Sequence, residues 1–186
     1  MTGDIDNGID TSLPIAGDFS LIVLAKQPAA PGALFAGNYS YSTAAYPRGD
    51  VLYSSGGNSG STLRGDMGGS TSSGGSSKTT TLTGYLDGAF HMLGMTASAA
   101  SGVVLTTSLN GQFGFAAPSS APTARATSSR TLKIACAAPG RVSGDTITAP
   151  VEIAAVAFWN KQISNASISL FFNWAKRYAS GKVTLT

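Results

Sequence analysis

The chain has 186 residues, of which only 11% are charged and 23 are glycine, and its formal net charge is +3. The charged share is less than half the ~25% usual for globular domains, which excludes a protein of long amphipathic helices, whose solvent faces need Glu, Lys and Arg. The 12 basic and 9 acidic residues read as scattered along the chain, which speaks against the clustered cationic footprint of a nucleic-acid binder.

Residues 1–12 read as a flexible arm ahead of one domain over 13–186. Asp4, Asp6 and Asp10 in that arm argue against a signal peptide. The stretch DIDNGID lacks the spacing and the twelfth-position glutamate of an EF-hand loop. Phe19 to Lys26 (FSLIVLAK) is a continuous apolar run, too short for a stable helix and bounded by Gly17-Asp18 and Pro28, and it predicts a buried strand. Its most apolar part, Leu21 to Ala25, is far below the ~20 residues needed to cross a bilayer, so no membrane insertion is expected.

Ala33 to Ser42 and Gly49 to Ser54 alternate apolar or aromatic residues with small polar ones, which predicts two strands. Tyr39 and Tyr41 share a face of the first, and Val51 and Tyr53 a face of the second. From Ser54 to Lys78 Gly, Ser and Thr dominate, which predicts a weak strand near Ser61 to Met67 between flexible loops. Strand patterns return at Thr79 to Leu86, Ala89 to Thr96 and Gly102 to Leu109. Asn110-Gly111 then precedes Phe113 and Phe115, the signature of a two-residue hairpin turn, since both residues accept positive φ. Thr131 to Ala137 and Val151 to Asn160 complete the series. Cys136, the only cysteine, falls in an apolar run and reads as a small core residue that has no disulfide partner within the chain. Nine or ten closely spaced strands without βα alternation predict an all-β antiparallel sandwich.

One helix is expected near the C-terminus. Ser164 is placed to cap it, and Ile168, Phe171, Phe172, Ala175 and Tyr178 form one apolar stripe. Lys176 and Arg177 in the last turn suit the helix dipole, and Gly181 is placed to end it. The stripe predicts a helix docked on the sandwich, with Phe171 and Phe172 as anchors.

The order of these elements resembles a known family. Phe90-His91-Met92 leads into a strand, VVLTTSLNG (Val103 to Gly111) follows, then LKIAC, and then VEIAAVAFWNKQIS runs into a short helix. Trp159-Asn160 closes the last strand and Ile163-Ser164 opens the helix, while Leu13-Pro14 and Gly17-Asp18-Phe19-Ser20 match an opening strand. Over roughly residues 13 to 180 this is similar to the concanavalin A-like lectin/glucanase superfamily in its laminin-G-like, pentraxin-related branch. The resemblance implies a jelly-roll sandwich and a carbohydrate-directed module. Two departures stand out. Ser167 occupies the position where a carboxylate would complete a capping box with Ser164, and no acidic cluster matches the calcium sites of some members.

Most glycoside hydrolysis needs two carboxyl groups flanking one bond, and the glucanases of the superfamily carry Glu-x-Asp-x-x-Glu on one strand face. Here Glu152 is the only glutamate and has no acidic neighbour, and Asp87 and Asp145 sit beside glycines in expected turns. His91, the only histidine, reads as a structural residue of a core strand. One histidine and one cysteine do not make a zinc set, and no Gly-x-Ser-x-Gly elbow is present, so no catalytic residue, metal or cofactor is expected. Arg48-Gly49-Asp50 and Arg64-Gly65-Asp66 read as Gly-Asp turns feeding neighbouring strands rather than as adhesive tripeptides.

Sugar recognition combines an aromatic platform with groups that orient hydroxyls. Tyr39, Tyr41, Tyr46 and Tyr53 are the candidates for the first role, and Asp87, Asn110 and Asn160 for the second. The reading is a non-catalytic recognition or structural module whose partner is a surface glycan. Low charge, abundant Ser, Thr, Gly and Ala, and no disulfide fit a virion protein such as a phage tail-fibre, receptor-binding or decoration domain, forming a homo-oligomer, with a trimer as one form. The alternatives are a carbohydrate-active enzyme or its accessory domain, and a purely architectural domain.

Overall fold

A computed structural model describes residues 2–3, 8–15, 17–26, 32–38, 50–55, 62–71, 74–83, 88–109, 112–115, 124–125, 131–135 and 150–183. Among them thirteen strands and one helix follow in chain order: β1 (Thr2–Gly3), β2 (Ile9–Pro14), β3 (Phe19–Lys26), β4 (Leu34–Gly37), β5 (Val51–Ser55), β6 (Thr62–Thr71), β7 (Gly74–Thr83), β8 (Phe90–Ser98), β9 (Gly102–Leu109), β10 (Gln112–Phe115), β11 (Ala124–Arg125), β12 (Thr131–Ile134), β13 (Val151–Trp159) and α1 (Asn165–Ala179). The first sheet runs β1-β13-β3-β8-β9-β10, and the second runs β11-β6-β5-β4-β12-β2 with β7 added on β6. The described pairings are all antiparallel. The fold is therefore an all-β antiparallel sandwich with one short helix.

β3 organises the layers. Alternate side chains leave a strand on opposite faces. Phe19, Leu21, Val23 and Ala25 point into the core between the sheets, where they meet Phe35, Leu52, Leu63 and Met67 of the second sheet. Ile22, on the other face, packs with Met92 of β8 and with Ile168, Phe172 and Ala175 of α1. Both faces of β3 are covered, which is why its stretch from Leu21 to Ala25 is apolar throughout instead of alternating.

The helix starts as expected: the Ser167 N–H donates to Ser164 Oγ at 3.2 Å, and the Ser164 and Ser167 hydroxyls lie 3.0 Å apart. The chain leaves it through Gly181 at φ +79°, the left-handed conformation that glycine adopts without Cβ strain. Ser20 ties the approach to the first sheet, donating to the Lys161 carbonyl and accepting from the Ile163 N–H, both at 3.0 Å.

Several expectations change. Residues 9–12, assigned to a flexible arm, belong to β2, and Thr2–Gly3 pairs with Val151 and Glu152 of β13. Asp10 lies opposite Lys133, and their side chains form an ion pair on which Lys133 is nearly buried. Gly74–Thr83, expected to begin as a flexible loop, pairs with β6 over ten residues from Thr62↔Thr83 to Thr71↔Gly74. Its strand needs no apolar alternation because backbone hydrogen bonds alone set the ladder. β12 ends at Ile134, since Ala135 takes φ +60°; Cys136 lies outside the described residues. Gln112 pairs with Leu109, the register that a two-residue Asn110-Gly111 turn requires.

Candidate functional site

The sequence-predicted ligand residues are best placed by the strands that carry or flank them. Asn38 and Asp50, both buried, close the neck of the 39–49 segment. The Asn38 N–H donates to the Asp50 carbonyl at 2.8 Å, and the Asp50 N–H donates to Asn38 Oδ1 at 2.6 Å. Tyr39, Tyr41 and Tyr46, which that neck brackets, lie outside the described residues, as do Asp87 and Asn110. Of the strand ends on either side of those two positions, Phe90 of β8 and Leu109 of β9 lie at one end of the first sheet. Lys26 pairs there with Phe90 and with Glu152, and antiparallel pairing of β8 with β9 brings Leu109 to the same end. Asn160 is exposed and follows Trp159, which pairs with Ser20 at the opposite end of that sheet. Asn160 therefore stands at the end of the first sheet opposite to the one at which β8 begins and β9 ends.

Tyr53 corrects the sequence reading. It sits on the face of β5 opposite to the core residue Leu52, yet its exposure is 0%. Its hydroxyl donates to Asp66 Oδ2 at 2.9 Å, and the Arg64 guanidinium carbon lies 5.5 Å from its ring centroid. A ring enclosed in this way offers no face to a pyranose, so Tyr53 is a packing residue. The same cluster settles the second Arg-Gly-Asp tripeptide, which is a mid-strand segment of β6 with a buried aspartate and not a turn. In the first tripeptide Asp50 is likewise buried, while Arg48 and Gly49 lie outside the described residues.

His91 and the described carboxylates are engaged structurally. His91 is buried in β8 with Nδ1 2.8 Å from the Ser108 carbonyl, as a structural histidine would be. Asp18 Oδ1 accepts from the Ala99 N–H at 2.9 Å, and Glu152 pairs with Lys26 at 3.2 Å. Asp10 accepts from Lys133, from the Thr131 hydroxyl and from the Ser12 N–H. Chiefly through Lys133, then Thr131 and Ser12, its carboxyl is held down at a pKa of about 2. Among the described residues no group of three or more His, Cys, Asp or Glu could hold a metal ion.

One surface feature escaped the sequence reading. The buried side of α1 is Ile168, Phe172, Ala175 and Ala179, so Phe172 is an anchor as expected while Phe171 is only half-buried. Phe171 begins an aromatic ladder along the helix flank instead. Trp159 meets it edge-on at 5.3 Å, Trp174 lies 5.2 Å beyond, and Tyr178 stacks on Trp174 at 5.2 Å with ring planes 15° apart. The Lys182 ammonium caps the series 3.6 Å from the Tyr178 ring centroid. Trp174 and Tyr178 are about half exposed, and Leu170 at 72% continues the stripe. Between this flank and the outer face of the first sheet runs a groove lined by Ile22, Leu24, Ala155, Ala157, Trp174 and Tyr178, among others. The spacing Phe171, Trp174, Tyr178 was the available signal.

No family model matches the chain, and no curated protein matches it. Solved structures do match in fold. A botulinum neurotoxin serotype G binding domain superposes with TM-score 0.58 at 9% identity, over 94% of this chain and 42% of that one. The NanB sialidase from Streptococcus pneumoniae gives TM-score 0.58 at 16% identity, over 91% and 27%. The leech intramolecular trans-sialidase gives 0.54 at 13%, over 89% and 26%. The chain thus shares its β-sandwich fold with a part of each of these proteins and spans less than half the length of each. None of the matches specifies the laminin-G-like branch.

Proposed function

We propose that this chain is a non-catalytic carbohydrate-binding module. The observation that carries the reading is the fold: nearly the whole chain superposes on part of a toxin binding domain and part of two sialidases. Among the structures of this fold, botulinum neurotoxin type C enters cells through interaction with two ganglioside molecules, and the leech trans-sialidase complex was prepared with 3′-sialyllactose, so sialylated glycans are the first class to test. Support for the non-catalytic part comes from the carboxylates. Asp10, Asp18, Asp66 and Glu152 each have a partner within the fold, which supports structural roles for these four. On this reading the ligand is held by Tyr39, Tyr41 and Tyr46 on one segment, with Asn160, Asp87 and Asn110 as the polar candidates. Low charge and abundant Ser, Thr, Gly and Ala support a place on a virion, as part of a homo-oligomeric fibre or decoration protein.

The test is a glycan array that includes 3′-sialyllactose, followed by incubation of the retained glycans with purified protein and a native mass measurement. Retention without released sugar is the expected result. Released sugar would establish the enzyme reading instead. A stable oligomer that retains no glycan would establish an architectural domain.

A further inference from the structure

We propose that the exposed flank of α1 is a docking surface for a lipid bilayer with anionic headgroups, on which the helix lies parallel to the membrane plane. This inference is independent of the glycan reading and rests on different residues.

The first support is the apolar stripe. Leu170, Trp174 and Tyr178 recur every four residues and stand 72%, 47% and 49% exposed. On a helix with 3.6 residues per turn they form one strip, displaced around the cylinder from the docked side of Ile168, Phe172, Ala175 and Ala179. Large apolar side chains exposed in a row mark an interaction surface far more often than scattered ones do. Tryptophan and tyrosine suit the headgroup boundary, because each joins an apolar ring to a polar tip.

Charge supplies the second support. Residues 161–186 contain Lys161, Lys176, Arg177 and Lys182 and no acid, leaving eight basic against nine acidic residues in the remainder of the chain. The chain's whole excess of positive charge therefore resides in the segment that carries the stripe. All four cations are exposed. Arg177 is three residues from Trp174 and seven from Leu170, which places it along the same strip, and Lys182 sits on Tyr178. Long cationic side chains beside an apolar strip can hold their heads among phosphates while the strip enters the acyl boundary.

The chemistry of the groove selects lipid over other anionic partners. Ile22, Leu24, Met92, Ala155, Ala157, Phe171 and Ala175 line it, and the Tyr178 hydroxyl is its one side-chain hydrogen-bonding group besides the Trp174 indole N–H. Glycans and nucleic acids need several fixed donors and acceptors. The Tyr178 ring also carries Trp174 stacked at 5.2 Å and the Lys182 ammonium at 3.6 Å, so its faces are already engaged. A symmetric pairing of two copies through this flank would set cations against cations with no acid in the segment to answer them.

The test uses the full chain and vesicles that carry no glycan, made of phosphatidylcholine alone or with 30 mol% phosphatidylserine. Co-sedimentation at low salt is expected with the anionic vesicles, together with a blue shift of tryptophan emission, and both are expected to weaken in high salt. The double variant W174S/Y178S alters half-exposed side chains and is expected to fold, as judged by its thermal melt. It is expected to bind at least about tenfold more weakly. R177E/K182E is expected to lose about fivefold or more per cation removed. Absence of binding to the anionic vesicles, or binding by both variants as tight as that of the native chain, would overturn the proposal. So would binding that appears only when ganglioside is added, since that result belongs to a glycan site. A concentration-dependent dimer abolished by W174S/Y178S would overturn it as well, by assigning the flank to a second copy.

Discussion

Asp10 and Lys133 illustrate how one residue pair can reassign a whole segment. They lie opposite each other on β2 and β12, and the half-exposed carboxylate closes over an ammonium that is nearly buried. Thr131 and the Ser12 N–H complete the set around the carboxyl. With its pKa lowered from 3.8 to about 2, the folded state favours the ionised form. A depressed carboxyl pKa contributes stability that is fully present above the unfolded value and disappears as pH falls through the folded one. The stability of the native chain should therefore decline as pH drops from about 4 towards 2, and Asp10→Asn should flatten that part of the profile. At pH 7 the same variant leaves Lys133 without its anion and is expected to melt a few degrees lower. Thermal melts of both proteins between pH 2 and pH 7 measure this; parallel profiles would show that the pair does not hold the edge of the second sheet. The triplet Asp4, Asp6 and Asp10 alone carries no sign of this, because the partner stands more than a hundred residues away.

At the scale of elements, the parts that were legible in sequence are those whose neighbours leave a periodic mark. β3 could be delimited because both of its faces are covered, and α1 because its cap, its stripe and Gly181 agree with one another. The parts that were not legible depend on which face is covered and by what. Alternation around Tyr53 marks a strand but does not distinguish a solvent face from a buried one, so a packing tyrosine passed for a ligand platform. β7 carries hardly any apolar residues, so its pairing with β6 left no pattern to read. In α1 the small Ala179 belongs to the docked side, whereas the larger Tyr178 stands half outside. The rotation matters energetically. Phe172→Ala removes an anchor that is 6% exposed and should cost about 3–5 kcal/mol. Trp174→Ala removes a side chain that is 47% exposed, with its ladder contacts and part of the groove lining, and should cost about 1–2 kcal/mol. Denaturant titration of both variants checks the contrast, and equal losses would mean that the ladder, not the buried stripe, fastens the helix.

At the scale of the whole molecule, two apolar clusters among the described residues share no member, one between the sheets and one between the first sheet and α1. β3 is nevertheless common to both, since Leu21 serves the inner cluster and Ile22 the outer one. Unfolding the sandwich must therefore release the helix, because Ile22 and Met92 lose their places when β3 and β8 separate. The reverse need not hold: the helix can leave while the strands keep their backbone ladder, at the cost of exposing Ile22, Met92 and the outer surface of β13. The protein reports on this directly. Its two tryptophans, Trp159 and Trp174, both touch Phe171 at the helix seam, whereas the β-sheet component of the infrared amide I band follows the strands. In the native chain the two signals should trace one coincident transition, as a cooperative domain requires. In Phe172→Ala the tryptophan signal should move to lower denaturant ahead of the strand signal, since the weakened layer can open by itself. A single shared shift of both signals would instead show that the helix and the sandwich stand or fall as one unit, with the outer cluster fully coupled to the inner.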